Sequence, residues 1–439
     1  MTGAREQLIG LYRAATAGAD VESLTAHAVA SVPLERRHRV WVFAFGKAAH
    51  GMARGAVSSL QRSLADIPGG IVVAPDDGPA PYGSVTVMTG DHPVPGARSF
   101  AAATALHQVV TLKRGTDLGV VLLSGGASSL IGAPLRGLTE ADLTRVCQLL
   151  LNSGLDIAAM NAVRKRFCLW AAGRMALALA PARSYCFAVS DVPGDDLATI
   201  GSGPCVPDPT RVQEVIDILQ NGGLLGKLPA TFHQYLTDTA RGGIPETPKE
   251  THPAFAHMTA RVIANNSIAL GAAATAARAA GLSVEVRTEP LAGDARTAGV
   301  RLADVLLSAR ERAPIGTPLC VMWGGETTVA LGANPPAGGR CQALALAAAK
   351  QLAEAGDRAR GISLLAAGTD GRDGTTDAAG AIVDRDTWPA IRDTGINPSA
   401  ALEAHDSHFA LSAVNALFAP GLTGTNVMDV VIGLVGTGH

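Results

Sequence analysis

The stretch Val120-Val121-Leu122-Leu123-Ser124-Gly125-Gly126-Ala127-Ser128-Ser129-Leu130 limits the fold of this chain more than any other. An apolar run rich in β-branched residues, too short for an ordinary helix, ends at Ser-Gly-Gly. It then passes through small hydroxyl residues into new apolar sequence. That order reads as buried strand, tight turn and helix start. In an open parallel sheet, ligands collect outside the carboxyl ends of the strands, where helix N-termini offer unpaired N–H groups and the positive end of a dipole. The turn therefore reads as a phosphate site, or as a structural turn whose glycines only permit tight packing.

The same device recurs at other expected strand ends: Phe45-Gly46-Lys47, Val189-Ser190-Asp191, Ala264-Asn265-Asn266, Trp323-Gly324-Gly325-Glu326 and Ala366-Ala367-Gly368-Thr369-Asp370. Charged and amide groups converging on one sheet edge favour an anion site.

With 439 residues the chain exceeds what one core usually serves, so two domains are expected. The polar stretch 241–253 is the linker candidate, dividing the chain into 1–250 and 251–439. Hydrophobic residues make up 47% and aromatics only 4%, with 50 glycines, which suits helices packed closely on a parallel sheet. A net charge of −2 without a long basic run argues against nucleic acid as a partner. None of the six cysteines lies in a C-x-x-C pair, so they are expected to be reduced core residues rather than zinc ligands. Residues 1–30 carry Arg5, Arg13, Asp20 and Glu22 in amphipathic spacing, unlike a leader peptide. No uninterrupted apolar stretch of about 18 residues suggests a membrane span. A cytoplasmic protein is expected, monomer or homodimer.

Several positions draw attention along the way. Lys47 is expected in the first turn of the helix after Phe45, where a lysine opposes the helix dipole. That placement suggests a ligand-facing role. His92, between Asp91 and Pro93, reads as a ligand contact or a hydrogen-bonded loop residue. A helix over 156–173 would put Asn161, Arg164 and Lys165 on one face, where an amide and two cations bind an anion or form a solvated basic face. Asp191 and Asp195 follow the strand 184–190; they can hold Mg²⁺, serve as a general base, or belong to a Pro-Gly-Asp turn. The second half restarts an α/β pattern, with Arg340 opening a helix after Gly338-Gly339. Asp370, Asp373 and Asp377, spaced by glycines, resemble a cation loop, although the EF-hand pattern fails.

Absences narrow the chemistry. No G-x-G-x-x-G follows a strand, no G-x-x-x-x-G-K-[ST] occurs, and there is no G-x-S-x-G, so standard nicotinamide, Walker-type and nucleophile-elbow sites lose support.

The motif set Phe45-Gly46-Lys47-Ala48-Ala49, Gly90-Asp91-His92-Pro93, Leu123–Ser129, Asn161-Ala162-Val163-Arg164-Lys165, Ser190-Asp191-Val192-Pro193-Gly194-Asp195, Gly324-Gly325-Glu326, Gly368-Thr369-Asp370-Gly371 and Thr423-Gly424-Thr425-Asn426-Val427 resembles the class II glycerate 2-kinases, the MOFRL family. The similarity runs nearly end to end. It implies an α/β protein of two domains, a Rossmann-like N-terminal domain with a parallel sheet and a smaller α/β MOFRL domain, with the active-site cleft between them. It also implies ATP- and Mg²⁺-dependent phosphorylation of D-glycerate to 2-phosphoglycerate.

Under that resemblance, Lys47 and Arg340 neutralise the transferring group, and Asp191 takes a proton or, with Asp195, binds Mg²⁺. The turn with Ser124, Gly125, Gly126, Ser128 and Ser129 cradles phosphates. Asn161 and Arg164 fix the substrate carboxylate, and Glu326, Asp370 and Asn426 contribute from the second domain. The family usually shows Gly-Gly-Arg-Asn-Gln where this chain has Cys341. Members also carry the name hydroxypyruvate reductase, so an NAD(P)H-dependent reductase is the rival reading, and a non-catalytic hydroxy-acid sensor the third.

Overall fold

The computed structural model describes residues 2–35, 37–78, 83–312, 318–330 and 336–436. The chain divides into two compact units, Val21–Ile263 and Met1–Asp20 with Ala264–His439.

The first unit is built on β1 (Val40–Phe45), β2 (Gly70–Ala74), β3 (Val85–Thr89), β4 (Leu118–Leu123), β5 (Ser184–Val189) and β6 (Met258–Ala264), in the order β3-β2-β1-β4-β5-β6. The first five pair in parallel. The runs VWVFAF, GIVVA and LGVVLL carry no polar alternation, and every position of β1, β2 and β4 is buried, as expected of a parallel sheet covered on both faces. The chain winds outward from β1 to β3 and then returns to place β4 on the other side of β1. That reversal puts the carboxyl ends of β1 and β4 side by side, the position where such sheets bind ligands.

The second unit contains β7 (Ser283–Val286), β8 (Leu319–Gly325), β9 (Ile362–Gly368), β10 (Gly380–Asp384), β11 (Leu417–Phe418) and β12 (Asp429–Val435), ordered β11-β10-β9-β12-β8-β7. β7 and β8 are parallel, whereas β12 runs antiparallel to both β8 and β9, and β10 antiparallel to β9 and β11. The sheet is therefore mixed. β10 and β11 escape the sequence reading because one follows a Gly/Asp-rich loop and the other has two residues.

Two expectations about organisation change. The helix Thr2–Gly18 belongs with the second unit: its buried face of Leu8, Leu11, Tyr12 and Ala15 is completed by elements far away in sequence. Tyr12 Oη donates to the Gly368 carbonyl (2.8 Å), and Thr425 Oγ1 donates to the Ala19 carbonyl (2.9 Å). Nor does a linker lie at 241–253. Glu246 pairs with the fully buried Arg166, Thr247 Oγ1 donates to Asp208 (2.8 Å), and Lys249 Nζ donates to the Asp208 carbonyl (3.0 Å). The polar residues that suggested a solvated connection instead neutralise buried charge.

That network also absorbs Lys165, whose ammonium lies 2.7 Å from Asp208 with side-chain exposures of 6% and 0%. Burial alone would raise the Asp208 carboxyl, but the hydrogen bonds from Lys165, Thr247 and Thr210 outweigh it and hold the pKa below its ordinary value. The helix carrying these residues, Ile157–Phe167, ends six residues before the expected 173, with Cys168 already extended. Among the described residues no helix is long and apolar enough to cross a membrane, and all six cysteines are buried and unbridged.

Replacing one partner of a buried ion pair leaves the other charge uncompensated. Asp208→Asn is expected to lower unfolding free energy by about 3–5 kcal/mol, measured by denaturant titration; a loss under about 1 kcal/mol would show that the pair does not hold this unit together.

Candidate functional site

At the end of β4 the chain turns through Ser124-Gly125-Gly126 into a helix of a single turn, Ala127–Leu130. The helix start expected here is present but spans four residues, too few to build an appreciable macrodipole. What remains is the turn's own backbone. Gly126 has φ +87°, the left-handed region that favours glycine. The N–H groups of Gly125 and Gly126 have no acceptor among the described residues. The β1 turn is stitched to it: Ser124 N–H donates to the Phe45 carbonyl (2.9 Å), and Lys47 N–H donates to that of Gly125 (2.9 Å). Lys47 lies in this turn, ahead of the helix Ala49–Arg62 rather than in its first turn.

The hydroxyls of the turn have protein partners. Ser124 Oγ accepts from Ala48 N–H (3.0 Å), Ser129 Oγ donates to the Gly126 carbonyl (3.0 Å), and Ser128 Oγ shares a hydrogen bond with Ser202 Oγ (2.7 Å). Ser124 and Ser129 thus brace the turn through their hydroxyls.

Around these glycines stand three groups from other elements. A Cβ placed on Gly125 would lie 1.8 Å from Asp191 Oδ2, so only glycine lets the carboxylate at the end of β5 come this close. A Cβ on Gly126 would lie 3.1 Å from the His92 ring and 3.6 Å from Lys47 Cγ. Burial raises the Asp191 pKa above the usual carboxylate value, opposed by the Lys47 charge. Desolvation lowers that of His92, and the charges of Lys47 and then Arg164 lower it further. Arg164 donates to the Oδ1 of the buried Asn161, while its Nε is buried without a partner.

Neither Lys47 nor Arg164 has a carboxylate within ion-pair reach among the described residues. Of the three consecutive cations 164–166, only Arg164 is left in this state. Asp195 takes a left-handed φ of +56° in the turn after β5, its N–H donating to the Val192 carbonyl (3.1 Å).

In the second unit the expected residues gather about the start of the helix Arg340–Glu354. Arg340 is clamped by Asp429, with Nε–Oδ2 at 2.6 Å and Nη2–Oδ1 at 2.8 Å, and its Nη1 lies 2.9 Å from Glu326 Oε1. Burial would lower the guanidinium pKa, but the bonds to Asp429 prevail and raise it. Asp429 escaped the sequence reading, which began β12 one residue later; a lone carboxylate at the mouth of an apolar strand was the available signal.

Asp373 accepts the N–H groups of Cys341 (3.2 Å) and Gln342 (2.8 Å), capping the helix that carries Arg340. The expected cation loop does not form. Asp370 accepts from Arg372 N–H (3.0 Å), Asp377 is exposed beside His408, and among the described residues no cluster of three or more His, Cys, Asp or Glu could hold a metal. Asn426 Oδ1 accepts from Met428 N–H (3.3 Å).

Comparisons with known proteins follow this geometry. Residues 7–237 match a family model described as a domain of unknown function, DUF4147, and residues 319–429 match the MOFRL family. The chain is 38% identical to a protein of Agrobacterium vitis that carries a provisional hydroxypyruvate reductase name, over 99% of this chain and 95% of that one. It is 33% identical to a glycerate 2-kinase of Pyrococcus horikoshii, over 91% of this chain and 88% of that one. The crystal structure of a glycerate kinase from Thermotoga maritima superposes with a TM-score of 0.88 at 31% identity, covering 99% of this chain and 100% of that one.

The buried Asp373 makes a prediction of its own. Burial, foremost, and the neighbouring Asp429 raise its carboxyl to about 6, against the pull of the Gln342 and Cys341 N–H groups. An acid whose folded pKa exceeds its unfolded one stabilises the fold fully below the unfolded value and loses that contribution as pH rises through the folded one. Between about pH 4 and 6 the wild type should therefore lose stability relative to Asp373→Asn, by about 3 kcal/mol at most. Denaturant titrations of both proteins across that range measure it; a pH-independent difference would remove the assignment.

Proposed function

The chain belongs to the MOFRL family of glycerate 2-kinases, and on that premise we propose that it transfers the terminal phosphoryl group of ATP to the 2-hydroxyl of D-glycerate, giving 2-phosphoglycerate. Kinase chemistry on glycerate is supported by the names of the Pyrococcus and Thermotoga proteins. The observation that carries the finer reading is the pair of cations without carboxylate partners, Lys47 and Arg164, facing His92 beside two glycines with free amides. Two neighbouring cations disfavour each other's charged form, and an anion bound between them relieves that repulsion.

Phosphoryl transfer asks little covalent chemistry of the protein and much positioning and neutralisation of spread negative charge. Lys47 supplies positive charge to the transferring group, and the Gly125 and Gly126 N–H groups donate to phosphate oxygens. Arg164, oriented by Asn161, takes the glycerate carboxylate. Asp191, its pKa raised by burial, receives the proton of the 2-hydroxyl as a general base. Within the second unit, Arg340 is the cation that Asp429 orients.

Magnesium carried on the triphosphate supplies further neutralisation when bound. Without a three-ligand cluster among the described residues, Asp191 or Asp195 fits as a lone carboxylate ligand to a cation held mostly by phosphate and water.

Lys47→Ala is expected to lower kcat by about two to four powers of ten, the range in which single electrostatic stabilisers act, while far-UV circular dichroism stays unchanged. A coupled assay with ATP, Mg²⁺ and D-glycerate reads it. Run beside it, oxidation of NADH by hydroxypyruvate reads the activity named for the Agrobacterium relative. Near-normal turnover in a folded Lys47→Ala protein takes Lys47 out of the mechanism, and reductase activity without kinase activity overturns the reading.

A further inference from the structure

The kinase reading leaves His92 without a task. Its ring lies over Gly126, Cδ2 at 3.1 Å and Nε2 at 3.3 Å from where a Cβ would stand, on the same glycine that the Lys47 stem approaches. The adjacent carboxylate is not its partner. Asp91 is taken by the N–H groups of Arg98 (2.9 Å) and Ser99 (3.4 Å) and by Arg98 Nε (2.7 Å), which fixes the loop at the start of the helix Ala97–Leu112. Neither ring nitrogen of His92 has a hydrogen-bond partner among the described residues. The loop is thus held by one residue while the next presents a bare imidazole.

The charges facing the ring are Lys47, from the turn after β1, and Arg164, from the helix Ile157–Phe167. Both are cations and both lack carboxylates. Desolvation, then the charges of Lys47 and Arg164, lower the ring's pKa, and in either protonation state the imidazole carries an N–H donor. A carboxylate accepts donors from two directions at once. Placed against Arg164, whose Nε lacks a partner, it would receive the His92 donor from the other side and leave Lys47 free for the phosphoryl group.

We propose that His92 is a substrate-binding residue, its imidazole N–H donating to the same glycerate carboxylate that Arg164 holds. This rests on the glycerate kinase reading and adds to it the group that fixes the acid end of the acceptor.

The test is steady-state kinetics of wild type, His92→Ala and His92→Gln, with calorimetric titration of D-glycerate in the absence of nucleotide. Loss of a hydrogen bond to a charged group is expected to raise the glycerate KM of His92→Ala about ten-fold, with kcat and the KM for ATP within about three-fold of wild type. His92→Gln, which keeps an N–H donor, should recover part of that loss. A glycerate KM within two-fold of wild type in both variants overturns the proposal. So does a fall in kcat with the glycerate KM unmoved, which would mark a structural or later role. If the wild type neither binds nor phosphorylates D-glycerate, the kinase reading itself fails and this inference falls with it.

Discussion

Everything at the sheet edge of the first unit depends on one close approach, that of the Asp191 carboxylate to the Cα of Gly125. A Cβ there would sit 1.8 Å from Oδ2, well inside any tolerable contact, so a side chain would push the end of β5 away from the turn after β4. The same glycine offers its carbonyl to Lys47 N–H and its own N–H to the outside. One missing side chain therefore joins the ends of β1, β4 and β5 and leaves a carboxylate of raised pKa beside an exposed lysine. Strand order supplies the neighbours, but the absence of an atom sets the distances.

The three consecutive cations Arg164, Lys165 and Arg166 show how the fold separates structural from functional charge. Successive residues on a helix point about 100° apart, so the three cannot share an environment. Lys165 meets Asp208, and Arg166 meets Glu246 and the Thr210 carbonyl (3.0 Å). Arg164 meets the amide oxygen of Asn161, and its charge lowers the pKa of His92. A buried charge without a partner is costly, and the fold supplies partners for the first two from distant loops. Arg164, only half-buried, is left without a carboxylate among the described residues.

How much of this was legible follows from which interactions are local. The apolar runs of β1, β2 and β4 carry their strand character in their own residues, and Asp156 marks a helix start because its cap acts within three residues. Lys47, Asp191 and Arg164 could be picked out because each follows or joins a recognisable punctuation of glycine or helix. Partners far apart in sequence could not. Nothing near Lys165 points to Asp208, the stretch 241–253 has the composition of a loop whether or not its charges are used, and the helix Thr2–Gly18 shows an apolar face without showing what covers it. His92 was read with two outcomes open, and the decision rested on Asp91 turning to Arg98 instead, a choice of rotamer that no spacing encodes.

The second unit places its cation by a different route. Arg340 is aimed by Asp429 at the first position of β12, while the helix it opens is fixed by Asp373, for which Gly339 leaves room: a Cβ there would fall 2.2 Å from the carboxyl carbon. Asp373 reaches that helix through the backbone N–H groups of residues 341 and 342, not through their side chains. Cys341 therefore supports the cap whatever its side chain, since any residue but proline supplies the N–H. Its thiol is buried and its pKa raised well above the ordinary value, by desolvation first and by Asp429 and Asp373 next, so it stays neutral and adds no charge beside the Arg340–Asp429 pair.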